Sequence, residues 1–489
     1  MANSVNILLG VGLLSVPYAL ARGGWAGLGV LFLLGGVTNY TGKALVRCQD
    51  LGTLEVRDGE ALPETFRSGD EDEEDWLLRA NASDASDASG NPSGDGPNAS
   101  GASRPVARRR QLSSYEDIGE AAFGRAGRAF ITAVLYTELV GTCALFFILE
   151  GDHLALLFSG SGRDSAWFQA ASACVMVPTL WLADLGALSY VGALGAAASV
   201  SLAGVVGYEL WMGTRGFTAL PPGLADTSVL HASTLPVSFG LLAFVFAGHA
   251  VFPAIYASME TPEEYEPMLD ATYAIVFATC LVIGGAGYAL YGDAVRDEVT
   301  LNLPNGALST LALALITINP LSKFALTMDP VARGLEGAAG VDIRDAEGGD
   351  GPLVARVIRT GLGMGSLLIA AKVPFFAVVM SLIGSFLTLT VSVVFPSACY
   401  LKMFGGRMSD AERVGNVGVI FLGVFCAVAG SAEAVAQITG KVGGGEEQER
   451  GEERMGRETR RCFITTPVAE SRIKIRFRAF PEIIQNQCS

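Results

Sequence analysis

Charge is scarce in this chain of 489 residues: 17% of it is Asp, Glu, Lys or Arg, where an ordinary soluble domain carries about 25%. Its three histidines show no metal-ligand spacing, and none of its eight cysteines sits in a Cys-x-x-Cys pair. That removes the usual zinc and dithiol chemistries, and neither metal nor cofactor is expected. No nucleophile motif or phosphate-binding loop is present, so a membrane-embedded enzyme has no sequence support. The net charge of −15 comes largely from loops and gives no basic surface for nucleic acid. The leader MANSVN lacks Lys and Arg, whereas a secretory signal peptide needs a basic n-region. This tells against signal cleavage, although Ala19-Leu-Ala21 has the small residues of a cleavage site.

What the chain does have is long apolar runs; half of its residues are hydrophobic. Runs of about 20 apolar residues read as membrane spans. Eleven are expected, over 5–21, 25–46, 127–157, 166–183, 187–213, 235–258, 269–292, 307–332, 354–371, 374–401 and 414–439. Many are rich in Gly and Ala, as in GALGAAASVSLAGVVG from Gly192 to Gly207. Small residues let helices approach closely in lipid, so the spans read as a packed bundle. Five cysteines fall inside spans and read as small buried apolar residues.

Two of the runs are interrupted. Asn6–Ala21 carries Gly12 and Pro17; Leu235–Met259 carries Gly248 and Pro253. Glycine loosens a helix and proline deletes a backbone hydrogen bond. Broken backbone at membrane depth survives only where it is buried in protein or lines a cavity. Breaks at corresponding places in two halves of a membrane chain point to a transporter's binding site. The bland alternative is that the glycines permit tight helix packing.

The domain plan follows. Residues 1–47 hold spans one and two, and 115–440 hold spans three to eleven. Between them, 48–114 read as a disordered acidic loop with GDEDEEDW, a Ser/Gly/Asp-rich stretch and two sequons, Asn81-Ala-Ser83 and Asn98-Ala-Ser100. SSYEDIGEAAFG then suggests a short surface helix with a Ser cap. The tail 441–489 also reads as disordered. Arg47, Arg108, Arg109, Arg110, Arg333, Arg356, Lys402 and Arg413 fall in loops that share one side. The positive-inside bias makes that side, and the amino terminus, cytosolic.

Several motifs together resemble the amino acid/auxin permease family. They are Asn6-Ile-Leu-Leu-Gly10-Val-Gly12-Leu-Leu-Ser15-Val-Pro17-Tyr18-Ala19 with Gly23-Gly24-Trp25, Ser114-Tyr115-Glu-Asp117-Ile-Gly119, Ile148-Leu-Glu150-Gly151-Asp152, Gly248-His249-Ala-Val-Phe-Pro253 and Asn319-Pro320-Leu-Ser-Lys323-Phe-Ala325. The set looks most like the plant and fungal vacuolar amino acid transporters, related to the vesicular inhibitory amino acid carrier. It covers residues 6 to about 335. Members of that family usually carry a cytosolic stretch before the first span, so a shortened amino terminus is expected here. The acidic stretch 55–103 is also longer than the family pattern. The resemblance implies an all-α polytopic protein with a LeuT-like fold: two inverted repeats of five spans, the first and sixth broken.

On that plan the substrate-binding residues are Gly10, Val11, Gly12 and Leu13 in the first break and Phe246, Ala247, Gly248 and His249 in the sixth. Freed N–H groups at Gly10–Gly12 would take a carboxylate, and freed carbonyls at Phe246–Gly248 an ammonium. Ionisable groups inside spans are functional candidates by default. Three could couple transport to protons: Glu138 in the third span, His249 and Lys323 in the eighth. For each there is a structural alternative: Glu138 locking helices, His249 bridging them, Lys323 snorkelling or pairing with Asp329. In related folds the eighth span helps hold a sodium ion, so the Lys323 ammonium could stand in for it. Glu150 and Asp152 are expected near the far membrane boundary and Glu433 in a structural role.

The reading is a proton-coupled secondary transporter of neutral or small amino acids in a vacuolar or other endomembrane. Substrate, protons and the lipid bilayer are its partners. Alternatives are a plasma-membrane or efflux proton symporter, and an amino acid sensor signalling through the acidic loop.

Overall fold

Both expected breaks are present in the computed structural model. It describes residues 2–51, 54–56, 108–110, 112, 114–182, 188–216, 218–304, 306–341, 351–372 and 376–465. Helix α1 (Ala2–Leu8) stops before Gly10, a 3-10 turn covers Val11–Ser15, and α2 (Val16–Gly23) resumes the segment. Pro17 sits in the first turn of α2, where its missing N–H leaves no gap in the ladder. The sixth segment behaves alike: α7 (Leu235–Val245) unwinds, and α8 (Phe252–Ala257) restarts with Pro253 in its first turn.

The remaining helices are α3 (Ala26–Leu51), α4 (Tyr115–Leu157), α5 (Ser165–Thr179), α6 (Leu188–Gly213), α9 (Tyr265–Tyr291), α10 (Ala307–Ala339) and α11 (Gly351–Lys372). The tenth segment starts as α12 (Phe376–Leu382), passes through π-helical turns at Ile383–Thr388 and Thr390–Val394, and ends as α13 (Phe395–Phe404). Helix α14 (Asp410–Thr465) closes the described chain.

Seven helices among the described residues are long and apolar enough to cross a membrane. The other four expected spans are the two broken segments, the more polar 26-residue α3 and the 15-residue α5. The element order repeats: a broken segment, a helix, a long helix and two more, then the same again.

Local sequence explains the edges. Ser114 caps α4 in a capping box with Asp117, each side chain bonded to the other's backbone N–H. The short helix expected on SSYEDIGEAAFG is present from Tyr115, but it runs on into the next segment through a kink at Gly124, whose φ of 67° suits a residue without Cβ. Arg128, past the kink, reaches back to Asp117 at 2.7 Å and Glu120 at 2.8 Å.

Two three-residue strands, β1 (Leu54–Val56) and β2 (Arg108–Arg110), pair antiparallel and interrupt the otherwise helical chain. They flank the expected disordered loop, whose acidic run and sequons lie outside the described residues. Contacts divide the chain into Met1–Val435 and Ala436–Ser489. The second unit is helical to Thr465, past the point where a disordered tail is expected. The run GEEQERGEERMGRETRR is dominated by good helix formers. Residues 466–489 lie outside the described ones.

Candidate functional site

The two breaks face one buried cavity of about 80 Å³, room for several waters or a small ligand. In the first break the backbone bonds are Leu9 N–H to Val5 and Leu13 N–H to Gly10. The N–H groups of Gly10, Val11 and Gly12 therefore stay outside the helical ladder. In the sixth, Phe246 and Ala247 donate to Ala243 and Phe244, and Gly248 closes a tight turn onto the Phe246 carbonyl at 2.9 Å. The carbonyls of Val245 and Ala247 accept no backbone bond among the described residues.

Gly10, Val11, Gly12, Ala247, Gly248, His249, Glu138 and Lys323 all line this cavity. Leu13 and Phe246 do not. Leu13 is fully buried in the core, and the Phe246 ring stacks on Tyr273 at 5.7 Å between centroids, above Gly35. In irregular backbone neighbouring side chains diverge, so adjacency in sequence does not place them on one wall.

Lys323 Nζ donates to the Leu9 carbonyl at 3.0 Å, so it does not pair with Asp329. The same carbonyl accepts from Ser199 Oγ at 2.9 Å, and Asn319 Nδ2 donates to Ser199 Oγ at 2.6 Å. A carbonyl released by the break is thus satisfied by α6 and α10, which fixes the end of α1.

Glu138 is buried in α4, and its Oε1 accepts from Thr388 Oγ1 at 2.6 Å, at the end of the first π-helical run. His249 Nε2 lies 3.1 Å from both the Thr38 carbonyl and Thr41 Oγ1. A carbonyl only accepts, so Nε2 carries the proton of the neutral ring. Nδ1 is then a buried acceptor without a partner among the described residues.

The tenth segment supplies residues that sequence reasoning missed. Val391 and Ser392 line the cavity. The π-helical ladder releases carbonyls to outside donors: Val391 accepts from Tyr115 Oη and Ser392 from Thr41 Oγ1, each at 2.6 Å. Ser and Thr in an apolar run are common in membrane helices, so no clear signal marked them. Leu139, Thr142 and Phe146 on α4 and Leu326 and Thr327 on α10 also line the cavity.

Glu150 and Asp152 lie outside the cavity lining, near the end of α4. There, Asp152 accepts from Ser165 at 2.6 Å, and His153 Nε2 meets Thr300 at 2.9 Å and Glu298 at 3.2 Å. Burial pushes the Glu298 carboxyl well above the usual carboxylate range. The His153 contacts hold the connection between α9 and α10 against α4, and Asp152 holds the start of α5. At another edge Arg359 on α11 bonds Glu336 at 2.5 Å and 3.1 Å, Asp329 at 3.3 Å and the Leu180 carbonyl at 3.0 Å.

A polytopic helical bundle whose two discontinuous segments enclose one cavity has the architecture of a membrane transporter. The chain belongs to the transmembrane amino acid transporter protein family, which matches residues 1–61 and 101–436. It is similar to two proteins of Arabidopsis thaliana. With the amino acid transporter AVT1B it shares 32% identity over 449 residues, covering 90% of this chain and 71% of that one. With the amino acid transporter AVT1C it shares 33%, covering 90% and 69%. The solved structure of a Na+-coupled sialic acid symporter, substrate-bound and outward-open, overlays with a TM-score of 0.48 at 12% identity, over 89% of this chain and 88% of that one. The family is one of transporters, not of enzymes.

Proposed function

We propose that this protein is a secondary active, proton-coupled transporter of neutral or small amino acids that works by alternating access in an acidic endomembrane, its amino terminus cytosolic. The observation that carries the reading is the meeting of the two breaks at one cavity, with unbonded N–H groups on one and unbonded carbonyls on the other. Donors suit a carboxylate and acceptors an ammonium, the two poles every free amino acid presents. Gly10 and Gly12 both line the cavity, and the side of Gly12 that a Cβ would occupy is taken by Val245 of the sixth segment. The rest of the wall, with Leu139, Phe146, Phe244 and Leu326, suits an apolar or short side chain, though such pockets separate similar apolar groups only weakly.

The test is a radiolabelled uptake panel of the twenty amino acids in proteoliposomes holding the full chain. Each is measured with an acid-inside gradient, with the reverse gradient and with a protonophore. Neutral amino acids are expected to accumulate against an acid interior and to stop with the protonophore. Accumulation only under the reverse gradient would indicate symport, and protonophore-insensitive uptake would remove proton coupling.

A further inference from the structure

Glu138 and Lys323 are 3% and 4% exposed, and both line the cavity. Each has one neutral hydrogen-bond partner, Thr388 Oγ1 for the carboxylate and the Leu9 carbonyl for the ammonium. Among the described residues neither belongs to an ion pair. A lone charge buried in a bundle costs several kcal/mol unless something compensates it. Here an acid and a base face the same hollow without touching one another.

Their positions differ in kind. Lys323 Nζ stands 3.4 Å from where a Cβ on Gly10 would be, beside the unbonded N–H groups of the first break. Cation and donors together make a pole for a carboxylate. Glu138 brings an acceptor and suits an ammonium. The other titratable groups around it are His249, whose Nε2 lies 3.1 Å from the Thr38 carbonyl, and Tyr115, whose hydroxyl donates to Val391.

We propose that Lys323 binds the substrate α-carboxylate and Glu138 its α-ammonium, and that a proton replaces the ammonium on Glu138 when the site is empty. This rests on the transport reading and extends it to a coupling mechanism. The loaded carrier holds Glu138 as carboxylate against the substrate ammonium. When the zwitterion leaves on one side, the carboxylate takes a proton from the water there. Glu138 returns as a carboxylic acid, its Oε1 still accepting from Thr388 Oγ1. On the other side it gives the proton up as the next ammonium arrives. No bond breaks other than O–H, the proton count on Lys323 is the same in both states, and one proton moves against one zwitterion. Antiport follows because proton and substrate compete for one carboxylate.

Competition has a kinetic signature. In proteoliposomes of the full chain, with equal pH on both sides and labelled alanine and isoleucine as probes, counterflow is measured between pH 5 and 8. Below the titration of Glu138 the half-saturating concentration is expected to rise up to about tenfold per pH unit, with the maximal rate unchanged. In Glu138→Gln it is expected to be independent of pH. Alaninamide, which lacks the carboxylate, is expected to compete poorly with alanine in the wild type and markedly better, relative to alanine, in Lys323→Gln. A wild-type half-saturating concentration that is constant or falls on acidification overturns the proposal, whatever the variants do. So does an alaninamide-to-alanine ratio unchanged by Lys323→Gln. If neither probe exchanges in the wild type at any pH, it is the neutral amino acid reading that fails.

Discussion

Gly12→Ala is expected to abolish amino acid uptake while the protein still reaches the membrane, whereas Gly248→Ala is expected to retain part of it. The contrast lies in what each new methyl group meets. A Cβ on Gly12 would fall 2.9 Å from Val245 Cα and 3.1 Å from its N, which are backbone atoms of the sixth segment. Backbone at the crossing of the two broken segments cannot step aside, so the breaks would be wedged apart and their N–H and carbonyl groups would lose register. A Cβ on Gly248 would meet Leu8 Cδ2 at 2.7 Å and the Phe252 ring at 3.1 Å. Leu8 Cδ2 ends a flexible side chain that can rotate, at a cost of about 1–3 kcal/mol. Labelled uptake, normalised to protein in the membrane, reads the difference. Equal activity of the two variants would mean that the crossing at Gly12 does not shape the site.

Arg359→Met is expected to destabilise the protein by about 3–5 kcal/mol, the usual consequence of removing one partner of a buried ion pair. Arg359 is 2% exposed and joins three elements: Glu336 and Asp329 on α10, and the Leu180 carbonyl just after α5. Without it the buried Glu336 loses its cation, while Asp329 still has Arg333 at 2.5 Å. The folded fraction remaining after heating in detergent would fall steeply. Adding Glu336→Gln should recover much of the loss, because it removes the stranded charge. Arg359→Lys should not, since an ammonium cannot span both Glu336 oxygens. Unchanged heat resistance in Arg359→Met would show the network to be neutral.

The breaks were legible because each pairs glycine with a proline five residues on: Gly12 with Pro17 and Gly248 with Pro253, the proline restarting a helix that the glycine lets unwind. Glu138 and Lys323 were legible because a charge inside an apolar run stands out. Arg359 falls inside an expected span too, but its partner Glu336 was placed in a loop after residue 332. Helix α10 in fact runs on to Ala339 and carries Glu336 to it. Leu13 and Phe246 are expected at the site from their place in the breaks, but neither lines the cavity, and the Phe246 carbonyl is taken by the Gly248 N–H. The π-helical turns had no sequence mark at all. SLIGSFLTLTVSVV has the composition of an ordinary membrane helix, and its winding depends on donors that arrive from α3 and α4.

Those widened turns set the two halves of the bundle apart. The fifth segment, α6, is described as uninterrupted α-helix, while its counterpart in the second half carries two π-helical runs against Tyr115, Thr41 and Glu138. A carrier built from two equal halves would spend equal time open to either face of the membrane. Here one half has a clasp that the other lacks, and if the carrier alternates as proposed, its empty form is expected to favour one face. Substitutions that loosen the clasp are expected to change which face it waits on before they change what it holds.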